Sequence, residues 1–403
     1  MNQDTVIFSA KWVLPISKHP IENGAIAIKN DTIIGVDDQK TIINKFKGKL
    51  VDLGNSIIFP GFVNVHTHLE HGDLENKPNS YLEFLEKAKT QFDGQNEDEK
   101  LVNINRNVEK CLNGGVVALA DFSKNGTSAN ILAKKPIFAR VFHEMNSLIA
   151  YQARDIFNKH RQIINDFPPG KNVTQHFALN SMWRNSPELL GEISVKEQHI
   201  GVHMAVTPEE NEYLMTGGGR LKQFLLSQGE YDYSFQPPGE SPFMYFMNNH
   251  FYAKHNILVH MLHVNEYELK KINDFQTKIN ICICPRSIDE LNLKQPDVQM
   301  FLKNNINVCL GTESPSLVQD MNMRRELIKC IDDFHVRPEI AMKFASLNGA
   351  YAIGYHREVG SLDYGKTARC LYISLDNENA ADPYEALLSS SGEVNWITEK
   401  INT

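Results

Sequence analysis

The sequence lacks a surplus of basic residues, since 41 lysines and arginines stand against 49 aspartates and glutamates and the formal net charge is −8. No basic stripe with interleaved aromatics is visible, which argues against binding to nucleic acid or anionic lipid. No window approaches the roughly 20 apolar residues of a membrane span. The first residues, Met1 to Asp4, lack the basic start and long apolar core of a signal peptide. The sequence therefore predicts a cytoplasmic protein that binds neither nucleic acid nor membrane.

Cysteine is also scarce, and its six positions show no paired framework like that of disulfide-rich secreted proteins. We expect reduced, mostly buried thiols. Cys282 and Cys284 have the spacing of a metal-binding pair, but they lie in an apolar run, Ile279 to Cys284, which favours core packing. With 42% hydrophobic and 22% charged residues, the composition is typical of a globular protein. Its 403 residues allow one barrel of about 250 to 300 residues and a smaller unit.

Two histidines separated by one residue end the apolar run from Phe59 to His68. Side chains on a strand alternate between its faces, so His66 and His68 point the same way at the carboxyl end of a predicted strand. Imidazole binds zinc, iron, nickel or copper, and a pair fixed on a strand is already oriented for a metal. The alternative is a pair of surface histidines at the mouth of a loop. The preceding residues, Pro60 to Asn64, favour the metal-binding interpretation.

Apolar strand-like runs alternate with amphipathic helical patterns through most of the chain, which predicts parallel βα units and an α/β fold. The helical patterns include Tyr81 to Phe92, Asp98 to Asn113 and Pro338 to Ile353. Eight such units predict a (β/α)8 TIM barrel, whose chemistry lies at the carboxyl ends of its strands. The predicted strands end near His68, Phe122, His143, Leu179, Val206, His263, Cys284 and Glu313.

At the two-histidine motif the sequence resembles the metal-dependent amidohydrolase superfamily, and within it the branch of cytosine, guanine and aminodeoxyfutalosine deaminases. The resemblance extends from about Ile7 to Leu375. It implies that both chain ends form a small β-sandwich beside the barrel. The expected division assigns residues 1–57 and 357–403 to the two parts of the sandwich and residues 58–356 to the metal-dependent hydrolase barrel.

The resemblance also implies a set of site residues. His203, on the fifth predicted strand, corresponds to the third histidine ligand beside the first pair. His260, on the sixth strand, corresponds to a histidine that contacts substrate or metal-bound water, while His263 points to the opposite face. Glu313, in Gly311-Thr312-Glu313-Ser314, corresponds to a residue that is the fourth ligand or the base at the water. Because no lysine ends the fourth strand, the resemblance implies one divalent metal ion, zinc or iron.

Two of these positions depart from the family pattern. Glu313 replaces an aspartate and adds one methylene, for which Gly311 on the same face leaves space. Val206 stands where the deaminases carry a glutamate that moves a proton from water to the ring nitrogen and the leaving ammonia. Valine cannot move a proton, and such help is commonly worth about 10²- to 10⁴-fold in rate. Nearby acids that could replace it are Glu70, Glu209 and Glu313.

Three more residues match positions that face the substrate in related enzymes. Glu70 follows the histidine pair directly and lies at the pocket edge in that branch. His176 corresponds to a fourth-strand histidine that contacts substrate, with a packed core histidine as the alternative. Arg286 belongs to Cys284-Pro285-Arg286-Ser287, which matches a motif of that branch. The asparagine that follows in the motif is replaced by Ile288 here. The guanidinium of Arg286 would hold a substrate carboxylate or make a surface ion pair.

These features predict a metal-dependent hydrolase that acts on a non-peptide carbon–nitrogen bond, with deamination of a nucleoside-like or heterocyclic amine as the leading reaction. One alternative is a hydrolase of the same fold that acts on a cyclic amide or a halogenated ring. Another is a catalytically impaired relative that serves as a binding or regulatory module. The expected partner is a small-molecule substrate, and a homodimer is a possible assembly because barrels of this family often pair.

Overall fold

The computed structural model describes residues 5–168, 170, 172–193, 199–249, 253–274, 278–377 and 381–401. In this part of the chain, none of the helices combines the length and the apolar composition needed to cross a membrane. The strands of the same residues form two sheets, one of eight strands and one of seven.

Fifteen strands and sixteen α-helices lie within the described residues. The strands are β1 (Val6–Val13), β2 (Ile21–Lys29), β3 (Thr32–Asp38), β4 (Lys49–Asp52), β5 (Ser56–Pro60), β6 (Phe62–Thr67), β7 (Val116–Ser123), β8 (Phe138–Met145), β9 (Val173–Leu179), β10 (His199–Met204), β11 (His255–His260), β12 (Lys278–Ile283), β13 (Asn307–Leu310), β14 (Cys370–Ser374) and β15 (Asn395–Trp396). The helices are α1 (Gln39–Lys45), α2 (Tyr81–Gly94), α3 (Glu97–Asn113), α4 (Ser128–Leu132), α5 (Ala153–Asp166), α6 (Pro187–Ile193), α7 (Pro208–Thr216), α8 (Gly219–Ser227), α9 (Pro242–Asn248), α10 (Glu266–Lys270), α11 (Pro285–Glu290), α12 (Val298–Lys303), α13 (Met323–Phe334), α14 (Pro338–Phe344), α15 (Leu347–Ala352) and α16 (Pro383–Ser389).

Strands β6 to β13 form a parallel sheet in which each strand pairs with the next along the chain. Its first and last strands also meet. The carbonyl oxygen of His66 accepts hydrogen bonds from the backbone amides of Thr312 and Glu313, at 2.9 and 3.1 Å. The sheet therefore closes on itself, and the predicted α/β class and TIM barrel are confirmed.

Barrel strands are apolar on both faces because helices cover one face and the barrel interior fills the other. Every residue of β6, β7, β10 and β11 is buried. At Gly201 of β10, an added Cβ atom would lie 2.4 Å from the ring of Phe122, so the missing side chain gives that ring its place in the interior. This packing fixes the strand ends from which the polar side chains project.

The second sheet has the order β15-β14-β5-β1-β2-β3, and β4 also pairs with β1. Both chain ends contribute to it, as predicted, because β14 pairs antiparallel with β5. One face packs Phe8 and Ile26 against Tyr372, and the other packs Ile7 against Ile42 of α1. The small domain expected as a β-sandwich is thus hydrogen-bonded as one seven-stranded sheet. Its expected limits at residues 57 and 357 stay a prediction.

Three barrel strands end two or three residues earlier than the sequence predicts. The strand β10 ends at Met204 rather than near Val206, β11 ends at His260 rather than near His263, and β13 ends at Leu310 rather than near Glu313. The backbone turns after these strands into the left-handed region, with φ of 52° at Ala205, 54° at Met261 and 63° at Glu313. A residue in that conformation cannot continue a strand.

The helices predicted at Tyr81 to Phe92 and Asp98 to Asn113 are confirmed as α2 and α3. The closing pattern from Pro338 to Ile353 instead forms two helices, α14 and α15. The interruption lies at Ser346, whose φ of −140° and ψ of −90° are far from helical values.

Candidate metal centre

Five buried side chains meet at the carboxyl ends of the barrel strands. His66 and His68 leave β6 on one face, as strand alternation predicts, with ring centroids 4.9 Å apart. His203 comes from β10, His260 ends β11, and Glu313 follows β13 by three residues. None of the five is more than 4% exposed. The structure thus brings together all the residues that the sequence assigned to the metal and to its water.

Four of these residues direct possible ligand atoms at one another. The Nε2 atom of His66 lies 3.2 Å from Nε2 of His203 and 3.1 Å from Oε2 of Glu313. The Nε2 atom of His260 lies 3.2 Å from the same Oε2. One ligand atom from each of these four residues lies within 4.8 Å of all the others. Three imidazoles and one carboxylate therefore surround a single point.

His68 is held slightly farther away. Its Nδ1 lies 2.9 Å from the carbonyl oxygen of Phe122, and because a carbonyl only accepts, Nδ1 must carry the proton. The lone pair is then on Nε2, which lies 3.7 Å from Oε1 of Glu313. His260 approaches Glu313 more closely than His68 does, although the sequence assigned His68 to the metal and His260 to the water.

A divalent cation fits these contacts. The Oε2 atom of Glu313 lies within 3.2 Å of two imidazole nitrogens, yet neither it nor Nε2 of His260 makes a hydrogen bond with the residues that the structure describes. The two Nε2 atoms of His66 and His203 face each other, and both cannot carry a proton at 3.2 Å. Nitrogen lone pairs around a carboxylate are a donor set that suits zinc or iron.

Burial sets the protonation states that a metal requires. It lowers the pKa of His66 to about 4, lowers that of His68, and brings that of His203 well below the usual value. Burial alone would raise the pKa of Glu313, but the imidazoles of His66 and His260 hold it well below the usual value. At neutral pH the three histidines are thus neutral and the carboxylate is ionised, which are the forms that bind metal.

The contact between β6 and the segment after β13 positions Glu313. A Cβ atom at Gly311 would lie 2.7 Å from Cβ and 2.8 Å from the carbonyl oxygen of His66. The space that the sequence analysis assigned to the longer Glu313 side chain is therefore taken by His66. Next to Gly311, Nδ2 of Asn64 donates to the hydroxyl of Thr312 at 2.8 Å, and Oδ1 of Asn64 accepts from the backbone amide of Thr312 at 3.2 Å.

A cavity of about 150 Å³ lies over the centre, between α2 and the strand ends. The helix supplies its apolar wall, formed by Tyr81, Phe84, Leu85, Ala88 and Phe92. The opposite wall is polar and includes Glu70, Glu144 and Asn180. A concave site with one apolar wall and a few converging polar groups is typical of a small-molecule binding site.

Glu70 lies in this cavity. Its Oε1 accepts a hydrogen bond from the hydroxyl of Ser123, and its Oε2 accepts one from the amide of Lys124 at 3.1 Å. Burial raises the pKa of Glu70. The carboxyl group is thus held firmly at the polar wall of the cavity.

Glu144, the penultimate residue of β8, lies beside the centre but was not predicted from the sequence. Its Oε1 lies 3.4 Å from Nδ1 of His203, and its Oε2 lies 3.8 Å from Nδ1 of His68. Burial raises the pKa of Glu144 to about 7. A signal was present, because a charged residue follows His143 at the predicted end of the third barrel strand.

Two residues predicted to contact substrate lie elsewhere. His176 accepts or donates a hydrogen bond with Thr174 at 2.8 Å, and its ring lies 4.9 Å from that of His199 at the start of β10. Arg286 donates to both carboxylate oxygens of Asp320, at 2.6 and 3.3 Å. The contacts therefore favour the alternatives, a packed histidine and an ion pair.

The position of the missing glutamate is apolar. Val206 is fully buried and lines a second cavity of about 350 Å³ together with Glu209 and His263. Tyr81 borders both cavities. Of the acids considered as substitutes, Glu209 therefore lies on the far side of Tyr81, whereas Glu70 and Glu313 line the cavity over the centre.

The chain is similar to known proteins over most of its length. A 5-methylthioadenosine/S-adenosylhomocysteine deaminase of Thermoanaerobacter pseudethanolicus is 24% identical over 92% of this chain and 84% of its own length. A 5'-deoxyadenosine deaminase of Methanobrevibacter smithii is 23% identical over 97% of this chain and 88% of its own. The solved aminofutalosine deaminase of Helicobacter pylori has a TM-score of 0.83 at 18% identity, with 97% of each chain covered.

The model of the amidohydrolase family matches residues 57–395, a range that includes the barrel and all five residues of the centre. The resemblance inferred from the two-histidine motif is therefore confirmed. The chain belongs to the amidohydrolase family.

Proposed function

We propose that this protein is a metal-dependent hydrolase that removes the amino group from a nucleoside-like or heterocyclic substrate. The observation that carries the proposal is the convergence of imidazoles on Glu313 beneath a cavity at the carboxyl ends of the barrel strands. The relatives named as deaminases of adenosine derivatives, which match most of the chain, support this reaction class.

One divalent cation, zinc or iron, would be held by His66, His68 and His203 together with Glu313. Such a cation lowers the pKa of a water molecule to about 7 and so supplies hydroxide at neutral pH. His260, whose Nε2 lies 3.2 Å from Oε2 of Glu313, would lie beside the water rather than among the ligands. A cytoplasmic location and a homodimer stay predictions from the sequence.

The residues of this chain would then guide water addition and loss of ammonia. Glu313 accepts the proton of the attacking water at Oε2, the oxygen that makes no hydrogen bond with the described residues. His260 directs Nε2 at the water oxygen and holds it toward the substrate carbon, while the negative charge of the addition develops on the ring nitrogen. A carbon–oxygen bond forms, the carbon–nitrogen bond breaks, and Glu313 passes its proton to the leaving ammonia.

The cavity walls suit a planar amine. A heterocyclic ring would lie against the apolar wall of α2, with its hydrogen-bonding edge toward Glu70 and Asn180. The contacts of His176 and Arg286 give no support for a role in substrate binding, so the proposal leaves both residues out.

Val206 favours one competing function, the hydrolysis of a different bond in a cyclic amide or a halogenated ring. Ring deamination in the family uses a second carboxylate to protonate the substrate, and the buried Val206 cannot supply it. Under the deaminase proposal, Glu313 carries out both proton transfers. A reaction without ring protonation does not need the second group.

The test is ammonia release by the full chain loaded with zinc or with ferrous iron. Adenosine derivatives, other aminopurines, pterins and cytosine analogues would be offered in one series, and cyclic amides and halogenated triazines in another. We expect ammonia from at least one heterocyclic amine and a loss of about 10²-fold or more in Glu313→Gln. Ring opening or halide release without ammonia would contradict deamination and support the competing function.

The variant Val206→Glu tests whether the missing carboxylate limits the reaction. Activity in the wild type shows a working deaminase, whereas activity in Val206→Glu alone shows a catalytically impaired relative. Val102→Glu is the matched control, because it adds the same charge on α3 at a residue that is 64% exposed and lines neither cavity. Its rates should equal those of the wild type.

A further inference from the structure

The carboxylate of Glu144 lies behind two of the metal-binding histidines. Its Oε1 is 3.4 Å from Nδ1 of His203, and its Oε2 is 3.8 Å from Nδ1 of His68. One ligand atom from each of these three residues lies within 4.8 Å of the other two. Glu144 therefore contacts both rings on the edge that carries Nδ1.

The point that the three imidazoles and Glu313 surround lies at the other edge of the same rings. Nε2 of His203 faces Nε2 of His66, and Nε2 of His68 faces Glu313. The two nitrogens of an imidazole point outward from opposite sides of the ring, so an oxygen at Nδ1 does not share a cation held at Nε2. The position of Glu144 is that of a group that orients the ligands rather than that of a ligand.

His203 depends on this carboxylate more than His68 does. The Nδ1 atom of His68 already donates to the carbonyl oxygen of Phe122. The Nδ1 atom of His203 is buried and makes no hydrogen bond with the residues that the structure describes, while Oε1 of Glu144 lies 3.4 Å from it. Oε1 of Glu144 is therefore an acceptor that the structure places beside this nitrogen.

The carboxylate itself is fixed in place. Asn180, which directly follows β9, donates from Nδ2 to Oε1 of Glu144 at 3.0 Å. The side chain of Glu144 is 12% exposed, and β8 is paired along its length with β7 and β9. A carboxylate held in this way has a defined direction toward the histidine rings.

We propose that Glu144 is a positioning residue of the metal centre. It holds the proton of His203 on Nδ1, which leaves the lone pair of Nε2 for the cation, and it steadies the ring of His68. This inference rests on the proposed metal centre, but not on the identity of the substrate. Partners of this kind commonly change metal affinity by about 10- to 100-fold.

The experiment measures zinc affinity of the metal-depleted full chain by competition with a chromophoric chelator. We expect Glu144→Ala to bind zinc about 10- to 100-fold more weakly than the wild type. Glu144→Gln keeps an oxygen that can accept from His203 and has nearly the same shape, so its loss should be smaller. The visible spectrum of the cobalt-loaded protein should shift in Glu144→Ala, because the orientation of His203 changes.

Glu70→Gln is the matched control for zinc affinity. It removes another buried carboxyl group from the same cavity, but the contacts of Glu70 are to Ser123 and Lys124 rather than to the histidines. Its zinc affinity should stay within about threefold of the wild type. Thermal unfolding of the metal-free variants shows whether Glu144→Ala folds, and Glu144→Gln carries the test if it does not.

Two results would overturn different claims. Equal losses in Glu144→Ala and Glu70→Gln, or no loss in either Glu144 variant, would refute positioning by Glu144. A wild type that binds neither zinc nor cobalt would refute the proposed centre itself, and the inference with it. Lack of ammonia release from a chain that binds zinc would count against the proposed reaction and leave the role of Glu144 intact.

Discussion

Gly311 is the residue that lets β13 approach β6 beneath the metal centre. The atoms that an added Cβ would meet are Cβ, the carbonyl oxygen and the amide nitrogen of His66, at 2.7 to 2.9 Å. Atoms so close to the main chain cannot rotate away as the end of a flexible side chain can. The need for glycine here comes from space rather than from an unusual backbone conformation.

Gly311→Ala should therefore lower both stability and metal binding. We expect a loss of about 1 to 3 kcal/mol in the free energy of unfolding, together with weaker zinc binding because His66 is displaced. Denaturant unfolding and chelator competition measure the two effects. Gly94→Ala is the control, since Gly94 is exposed at the end of α2 and a Cβ there meets nothing within 4 Å. Equal stability and equal zinc affinity in the two variants would show that β13 can move away from β6 without a loss of either.

Glu326 should make the stability of the protein depend on pH. It is buried on α13, and burial raises the pKa of its carboxyl group to about 8, against 4.5 in an exposed chain. Between these values the folded state keeps a proton that the unfolded state loses. Stability therefore falls as pH rises from about 4.5 to about 8, by up to about 1.4 kcal/mol per pH unit from this group.

The variant Glu326→Gln should remove this contribution. An amide oxygen can still accept the hydrogen bond that the amide of Arg286 donates at 3.0 Å. We expect the unfolding temperature of the variant to rise relative to that of the wild type as the pH increases from 5 to 8. Calorimetry at several pH values measures the difference, and a difference that stays constant would contradict the assignment.

At the scale of the element, α2 forms one wall of the cavity because its sequence is amphipathic. Its buried residues are Tyr81, Phe84, Ala88 and Phe92, which recur at helical spacing on one face. Ser80 caps the start of this helix, because its hydroxyl accepts a hydrogen bond from the backbone amide of Glu83 at 3.3 Å. One face therefore packs over the metal centre while the other remains in solvent.

Ion pairs fasten this helix to the barrel. Lys89 of α2 donates to Oε1 of Glu230 at 2.8 Å, and the buried Arg184 donates from Nε to Oε2 at 3.2 Å. Both cations line the cavity with Glu230. The carboxylate of Glu230 thus compensates a buried guanidinium and holds the helix at the same time.

Glu230→Gln should destabilise the protein more than Lys89→Gln does. The first change leaves the buried Arg184 without its counter-charge, which we expect to cost about 1 to 3 kcal/mol because Glu230 is partly exposed. The second removes a partly exposed lysine, worth about 1 kcal/mol or less. Denaturant unfolding gives the ranking, and hydrogen exchange in α2 should be faster in Glu230→Gln. The reverse ranking would argue against an anchoring role.

At the scale of the whole molecule, Arg324 joins the barrel to the C-terminal part of the chain. This residue of α13 donates to the carbonyl oxygens of Leu387, Leu388, Ser390 and Gly392, with distances of 2.9 and 3.1 Å to the first two. One planar guanidinium thus satisfies four carbonyl oxygens in the last turn of α16 and just after it, a geometry that a lysine cannot reproduce.

Arg324→Met should loosen the segment after α16, because four carbonyl oxygens lose their donor. We expect a loss of about 2 to 5 kcal/mol in stability and faster proteolytic cleavage near residue 390. Arg325→Met is the control, since its exposed side chain pairs with Asp320 instead. Mass spectrometry of timed digests locates the cleavage, and equal digestion of the two variants would contradict this role.

Part of the site could be predicted because the rules that produce it are local. Strand alternation alone placed His66 and His68 on one face. Parallel strand ends share one rim, and the resemblance to the amidohydrolases singled out His203 and Glu313 among the residues there. The contact of Glu144 with Nδ1 of His203 depends instead on which edge of the ring faces inward, and the pattern of residue types does not record ring orientation.

Long-range partners set the other outcomes. Arg286 was open to a substrate or to an ion pair, and its partner Asp320 lies 34 residues later, beyond any helix or strand period. His176 was open to a substrate contact or to core packing, and the structure places it within β9, beside Thr174 and the first residue of β10. The sequence predicts which elements form, while the packing between them decides which polar groups meet.

The pairing of β5 with β14 has a consequence for how the chain is made. About 300 residues separate these neighbours, so a ribosome that adds about 5 to 20 residues per second needs roughly 15 to 60 s to deliver the second strand after the first. During that interval β5 has an uncovered edge, directly upstream of the strand that carries His66 and His68. A slow codon stretch between α15 and β14 would lengthen the exposure, and soluble yield would fall without any change in the finished enzyme.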